Sequence, residues 1–257
     1  MKPIQNDDVT GKRQLRDRKK ERTKEEILAV AEKFYAEKPL DKILLEDIAE
    51  AAFVSRMTIY NYFENKDDVF FAVGNRVFKE LNETIDATLP SELSGKDQVL
   101  FLCAKTLKDG IDNPVVLKVT RDTFSHIKNM NSMPESIIET IVKRIGQSTL
   151  NKLVEDRSQI EDFEFKKYFE EPHFFKFYVQ MLRNCELWLK AIRKGKKDKT
   201  IKNDLDDVLI VQYMTMLMNG LLSEMELRRT ASNQMGIERR IITDNTLNLI
   251  AHFLDNK

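Results

Sequence analysis

The sequence predicts an all-α protein on three observations. Only eight glycines and six prolines interrupt 257 residues. The apolar residues recur at intervals of three and four, and no β-branched stretches alternate with turn residues at strand spacing. With 42% hydrophobic and 33% charged residues, there is enough apolar surface for a core and enough charge for solvated outer helix faces. The length exceeds one typical domain and falls short of three, which favours a small N-terminal part joined to a larger one.

Met1 to about Arg22 has no apolar periodicity and reads as a flexible basic arm, residues 1–22. From Lys12 to Lys24, eight basic residues (Lys12, Arg13, Arg16, Arg18, Lys19, Lys20, Arg22, Lys24) face only Asp17 and Glu21. In isolation such a run is a solvated tail. Thr23-Lys24-Glu25-Glu26 then reads as a capping box, with the Thr23 hydroxyl accepting from the Glu26 amide. The helix it opens carries Ile27, Leu28, Ala31, Phe34 and Tyr35 on one face and stops near Pro39.

A second helix is expected over Leu45 to Ala52, and a third from Ser55, a good N-cap, to Phe63. Only Phe53 and Val54 separate them. Two short helices joined by so tight a turn form a helix-turn-helix at 44–63, which presents its second helix to the DNA major groove. Asn65 caps a fourth helix beginning at Lys66 and carrying Val69, Phe70, Val73, Val77 and Leu81. This gives a head at 23–65 and a linking helix at 66–89. After the break at Pro90, Ser91, Ser94 and Gly95, the body (90–257) reads as helices near 97–109, 114–130, 135–156, 172–194, 205–229 and 237–254. Arg193 to Lys202 is a basic loop, either a solvated connection or a second phosphate-contacting patch.

The run Leu45 to Phe63, with its Ala51-Ala52-Phe53-Val54-Ser55 turn and its Tyr60-Asn61-Tyr62-Phe63 end, followed by Glu64-Asn65-Lys66, resembles the tetracycline-repressor (TetR-type) family. The resemblance covers residues 21 to 81. It implies a three-helix DNA-binding head, a linking fourth helix, and a larger helical body that dimerises and binds a small molecule. Two positions depart from the family pattern. Phe53 stands where the family usually has Gly at the turn, so the turn must form without a residue that readily takes positive φ. Leu44 stands where a Thr usually caps the second helix and touches phosphate.

Ile59, Tyr62 and Phe63 share the inward face of the third helix, leaving Met57, Thr58, Tyr60 and Asn61 outward. Asn61 can pair with adenine or a phosphate, and Met57 and the Thr58 methyl can touch a thymine methyl. Tyr60 can bond a phosphate, and Arg56 can reach guanine or the backbone. The resemblance assigns DNA contacts to the positions of Ser55, Arg56, Tyr60, Asn61 and Lys66. Lys66 and the free amides of the fourth helix are expected to hold one phosphate. Arg22 and Thr23, where arm meets head, complete the expected set. Beside such a module the basic arm reads as a segment that follows phosphates or enters the minor groove.

In the body, Leu205 to Arg229 carries a polar stripe of Gln212, Thr215, Asn219 and Ser223, and Gly220 allows close helix approach. Paired with Leu249 and Phe253 of the last helix, this reads as a homodimer seam, with an intramolecular core as the alternative. An effector pocket is expected around His126, Phe174, Tyr178, Met181, Cys185, Met214 and Met218, although an aromatic and methionine stripe is also ordinary core.

Formal net charge is zero, so any nucleic-acid footprint must be local. Cys103 and Cys185 form neither a disulfide framework nor a metal cluster, which fits a reducing cytoplasm. Met1 to Thr10 is too polar for a signal peptide, and Val208 to Met225 is too often interrupted by polar residues for a membrane span. Glu170-Glu171-Pro172-His173 is a single Glu-x-x-His without the second copy a di-iron bundle needs. No nucleophile elbow, phosphate loop or His-Glu-x-x-His occurs, so the sequence implies neither an enzyme nor a cofactor or metal. The expectation is a cytoplasmic, dimeric, ligand-responsive repressor of a palindromic DNA operator. The alternative is a binding protein of the same fold acting through protein partners.

Overall fold

The computed structural model describes residues 7–119, 172–227 and 238–256. Among these residues all regular structure is helical. The order is α1 (Asp7–Glu37), a 3-10 turn (Leu40–Lys42), α2 (Leu45–Ala51), α3 (Arg56–Tyr60), α4 (Lys66–Thr88) and α5 (Gly95–Asp112). A helical stretch at 114–119 follows, then α6 (Pro172–Lys197), α7 (Asp207–Leu227) and α8 (Arg239–Asp255). The helix expected at 135–156, the rest of that at 114–130, and His126 lie outside the described residues.

The expected flexible arm is helical from Asp7 onward. Absence of apolar periodicity means absence of a buried face, and it does not forbid a helix. Lys, Arg, Gln, Glu and Leu are good helix formers, and Arg22 Nε donates to Glu26 Oε1 at 2.9 Å one turn on. Thr23 therefore sits inside a helix. Its hydroxyl donates to the Lys19 carbonyl, 3.1 Å away, and it does not cap.

Among the described residues the core falls into two hydrophobic clusters. The first joins Ile27, Leu28, Ala31, Ile48, Ile59 and Phe63 of the head to Val69, Phe70, Phe71 and Val73 of α4. It extends past the expected head boundary to Val115, Val119, Phe174 and Phe177. Gly74 makes this possible, because a Cβ there would lie 2.8 Å from Val119 Cγ1 and 3.0 Å from Phe177 Cδ2. The second cluster builds the body from Ile85, Leu102, Leu107, Trp188, Ile192, Met214, Leu222 and Leu254. There α5 and α6 cross so closely that a Cβ on Gly95 would lie 1.8 Å from the Gly195 amide nitrogen.

The basic loop expected at Arg193 to Lys202 is helical through Lys197, the end of α6, and neither this turn nor the loop that follows is a free phosphate patch. Lys194 Nζ donates to the carbonyls of Ser91 and Leu93 at 2.7 and 2.6 Å. Arg193 and Lys196 pair with Asp207 at 3.3 and 2.8 Å. Asp198 accepts from the Gly95 amide and Thr200 from the Lys96 amide, so this loop caps α5.

Head and body meet at one buried carboxylate. Asp68, in the first turn of α4, is fully buried. It accepts from the His173 amide at 2.9 Å, from His173 Nδ1 at 2.9 Å, and from the Glu64 amide at 3.1 Å. The His173 ring also packs on Phe63, the residue that closes the recognition helix, with centroids 5.2 Å apart. Burial alone would raise the Asp68 pKa, but the hydrogen bonds from the His173 ring and amide and from Glu64 outweigh it and hold the carboxyl below its ordinary 3.8. A folded-state pKa lower than the unfolded one means stability that is present above the ordinary value and lost as pH falls. Asp68→Ala strands two buried amides and is expected to cost about 3 kcal/mol in urea unfolding at neutral pH. The gap to wild type should narrow once the pH drops below 3.8; a gap of equal size at both pH values would remove the carboxylate from this role.

Candidate nucleic-acid interface

The recognition helix is short and its orientation is set by what it buries. Ile59 and Phe63 are inside the head core at 0% and 2% exposure, whereas Met57 is 71% and Tyr60 41% exposed. Ser55 Oγ accepts from the Thr58 amide at 3.0 Å, the N-cap its sequence position predicts. The side chains of Ser55 and Thr58 also bond each other at 2.8 Å, so both hydroxyls are oriented. Asn61 ends the helix and is exposed, while Tyr62 is half-buried.

Arg56 is held in place before any ligand arrives. Its guanidinium donates to the Tyr60 hydroxyl at 3.0 Å, stacks over that ring at 5.5 Å and pairs with Glu46 of α2. Sequence reasoning missed Glu46; the signal available was only an exposed acidic residue ten positions upstream. Any other contact by Arg56 must compete with the Glu46 pair and the Tyr60 hydroxyl.

Three of the expected contact residues, Lys66, Arg22 and Thr23, have other partners. Lys66 turns inward, and its ammonium donates to the Leu40 carbonyl at 2.9 Å, closing the 3-10 turn on α4. The α4 N-terminus is also satisfied internally: Asn65 Oδ1 accepts from the Asp68 amide at 2.8 Å, and the first turn carries Asp67 and Asp68. A phosphate there would meet two carboxylates. Arg22 is engaged with Glu26, and Thr23 with the α1 backbone.

The turn of the motif is a Schellman end in which Phe53 occupies the glycine position. The Phe53 amide donates to Glu50 at 3.1 Å and the Val54 amide to Ala49 at 2.9 Å. Phe53 takes φ 54, in the left-handed region that L side chains avoid, while remaining 96% exposed. Leu44 caps α2 with no side-chain hydrogen bond and is 56% exposed.

In the body, a cavity of about 70 Å³ lies between α4, α5, α6 and α7. Met181, Cys185 and Met218 line it as expected, together with Phe78, Leu81, Thr106, Asn184 and Trp188. Phe174, Tyr178 and Met214 do not. Phe174 packs against Phe71 at 4.5 Å and stacks with Tyr178 at 6.2 Å, and Met214 is in the body core. The wall instead includes Thr215 and Asn219, which the sequence placed at a dimer seam. Burial pushes the Cys185 thiol up to about 11 and Cys103 to about 12, so both remain protonated at neutral pH. Among the described residues no three His, Cys, Asp or Glu side chains gather as a metal set.

Leu205, just before α7, and Leu209, Tyr213, Met216 and Leu217 on α7 are exposed, as are Ile241 and Leu249 on α8. Gln212 and Gly220 share this face, and a Cβ on Gly220 would meet nothing within 4 Å. Thr215, Asn219 and Ser223 run along its edge toward the core, and Phe253 holds Tyr213 at 6.3 Å. By length and composition Asp207–Met225 could cross a membrane; here its apolar residues divide between the core and this open stripe.

Residues 27–73 match the model of bacterial regulatory proteins of the tetR family. The chain is 27% identical over 108 residues to Rv1255c and MT1294, uncharacterized HTH-type transcriptional regulators of Mycobacterium tuberculosis. That stretch is 42% of this chain and 54% of each relative, so the chain spans about half the length of the curated relatives it matches. Among solved structures, the fold is similar to that of FadR from Bacillus subtilis, crystallised with stearoyl-CoA (TM-score 0.59, 15% identity, covering 89% of this chain and 97% of that one). It is also similar to a tetR-family regulatory protein from Rhodococcus RHA1 (TM-score 0.59, 14% identity, 91% and 98%). A third is the ketosteroid regulator KstR2 of Mycobacterium tuberculosis (TM-score 0.56, 12% identity, 91% and 95%). At these identities the structural likeness establishes the fold.

Because Phe53 packs against almost nothing, Phe53→Gly is expected to raise stability by about 1 kcal/mol, read as a higher urea midpoint with an unchanged slope. A lower midpoint would mean that the ring contributes packing after all.

Proposed function

With a tetR-family head at residues 27–73 on a chain that takes the all-α fold of that family's regulators, we propose that this protein is a DNA-binding transcriptional repressor. It acts as a homodimer on a palindromic operator and is released by a small apolar or amphipathic effector. The observation that carries this reading is the division of α3: a buried seat of Ile59 and Phe63 beneath an outward face of Met57, Tyr60 and Asn61. That division turns side chains able to read bases away from the core, with Tyr60 also holding the Arg56 guanidinium.

Dimerisation accounts for the open stripe on α7 and α8. A row of Leu205, Leu209, Tyr213 and Met216 left in water is costly, and a two-fold partner would cover it while setting two heads about 34 Å apart for successive major grooves. The effector reading rests on the cavity wall. Phe78 and Leu81 belong to α4, the helix whose first turn holds Asp68 against His173. At about 70 Å³ the space is well below that of a drug-sized ligand, so an effector must widen it, displace α4 and alter the spacing of the two recognition helices. The excess of Asp and Glu over Lys and Arg between Pro39 and Arg76 favours a second reading, a protein-binding module of the same fold.

Footprinting the full chain on its own upstream DNA at two salt concentrations separates the two. A protected palindrome is expected, and Asn61→Ala should weaken it by about 1 to 3 kcal/mol, tenfold or more. Equal affinity for all sequences at low salt would sink the repressor reading. Leu209→Glu combined with Met216→Glu is expected to convert a sedimenting dimer to monomer and to weaken operator binding with it. Retention of the dimer in that variant would place the seam elsewhere.

A further inference from the structure

We propose that the N-terminal half of α1 and the end of the recognition helix form a cleft that seats the sugar–phosphate backbone of DNA flanking the bases read by α3. The proposal rests on the DNA-binding reading and extends it to residues outside the head's three-helix core.

The starting point is one stripe of α1. At 100° per residue, Arg13, Arg16, Lys20 and Lys24 fall in the same sector as Ile27, Leu28, Ala31 and Tyr35. Where the head covers this stripe it is apolar and at most 3% exposed. Where α1 projects beyond the head the stripe carries these four cations against one carboxylate, Asp17, and Arg13, Arg16 and Lys20 are exposed. Arg18, Lys19 and Arg22 lie on other faces, so α1 is basic all round, and the in-line cations are the ones that continue the face packed on the head. Placing them there aims them at whatever lies against the head.

The space they face is a cleft of about 560 Å³ lined by Arg16, Lys20, Glu21, Lys24, Asn61 and Tyr62. One wall is thus the α1 projection, and the other is the last part of the recognition helix segment. Arg16 to Lys24 spans about 12 Å along the helix, roughly the axial length of three or four phosphates on one strand. The cleft is far larger than the body cavity of about 70 Å³, so it suits a passing chain better than a lone anion. Asn61 and Tyr62 add an amide and a phenol able to donate to phosphate oxygens. Because Asn61 is also on the base-reading face, a strand read by α3 has its backbone at this cleft. That placement favours duplex DNA over an acidic protein segment.

Helicity matters to the energetics. In a coil arm the same cations would have to be ordered on binding, whereas α1 holds them in register beforehand. Glu21 is the one acidic group on the wall and works against phosphate occupancy.

The test uses the full chain and a labelled duplex of random sequence, titrated by fluorescence anisotropy across a KCl series. Arg16→Ala/Lys20→Ala/Lys24→Ala is expected to make the slope of log K against log salt shallower by about 2 to 3 per protomer. Glu21→Gln is expected to bind several-fold tighter, a gain that misfolding cannot mimic. If wild type binds no duplex, the DNA-binding reading fails and takes this proposal with it. If wild type binds and the triple variant keeps the same slope, only the cleft is overturned. An unchanged duplex slope with weakened binding of a polyglutamate chain would assign the cleft to an acidic protein instead, and also overturns the proposal.

Discussion

A single carboxylate, buried where three segments meet, sets the frame in which the other parts of this molecule operate. Asp68 accepts hydrogen bonds from the ring and amide of His173 and from the Glu64 amide. It thereby caps α6 from a different helix and ties down the link between recognition helix and α4. Such a group is expensive to bury and strongly destabilising to leave half-paired. The two ends of α4 and α6 are consequently fixed to each other, and Phe63 is fixed to both through the His173 ring. The recognition helix cannot move without disturbing this joint.

The joint also explains why head and body are not separable units. Phe174 and Phe177, from the start of α6, complete the head core, and Gly74 lets them approach α4 closely. Further along the same two helices, Asn82 donates to the Gln180 carbonyl and accepts from Asn184, a buried polar contact that fixes their register. The cavity wall formed by Phe78 and Leu81 lies between these two polar points. Under the proposed effector mechanism, a change of volume there would be transmitted along α4 between these two fixed points.

Much of the head was legible in the sequence because each part is specified by local chemistry. Ser55 and Asn65 cap the helices they precede, Ile59 and Phe63 face inward by spacing, and Phe53 takes the left-handed turn that its position demanded. What was misjudged depends on distant partners. Thr23 has the form of a capping box, but α1 continues through it. Lys66 has the position of a phosphate ligand, but the carbonyl of Leu40 claims its ammonium. Thr215 and Asn219 share a stripe with Gln212 and also line the cavity, a contact their spacing does not reveal.

By itself the sequence determined the helical class, the helix-turn-helix and the outward set Met57, Tyr60 and Asn61, because periodicity and capping act over a few residues. Only the tertiary structure decided which charges are free. Arg56, Lys66, Lys194 and Asp68 each have partners that sequence spacing cannot foresee. It also decided that the basic run of α1 overhangs the recognition helix as a rigid wall. The physical reason is range: a helix is written in contacts three and four residues apart, whereas the pairing of a charge is written in which helices happen to pack together.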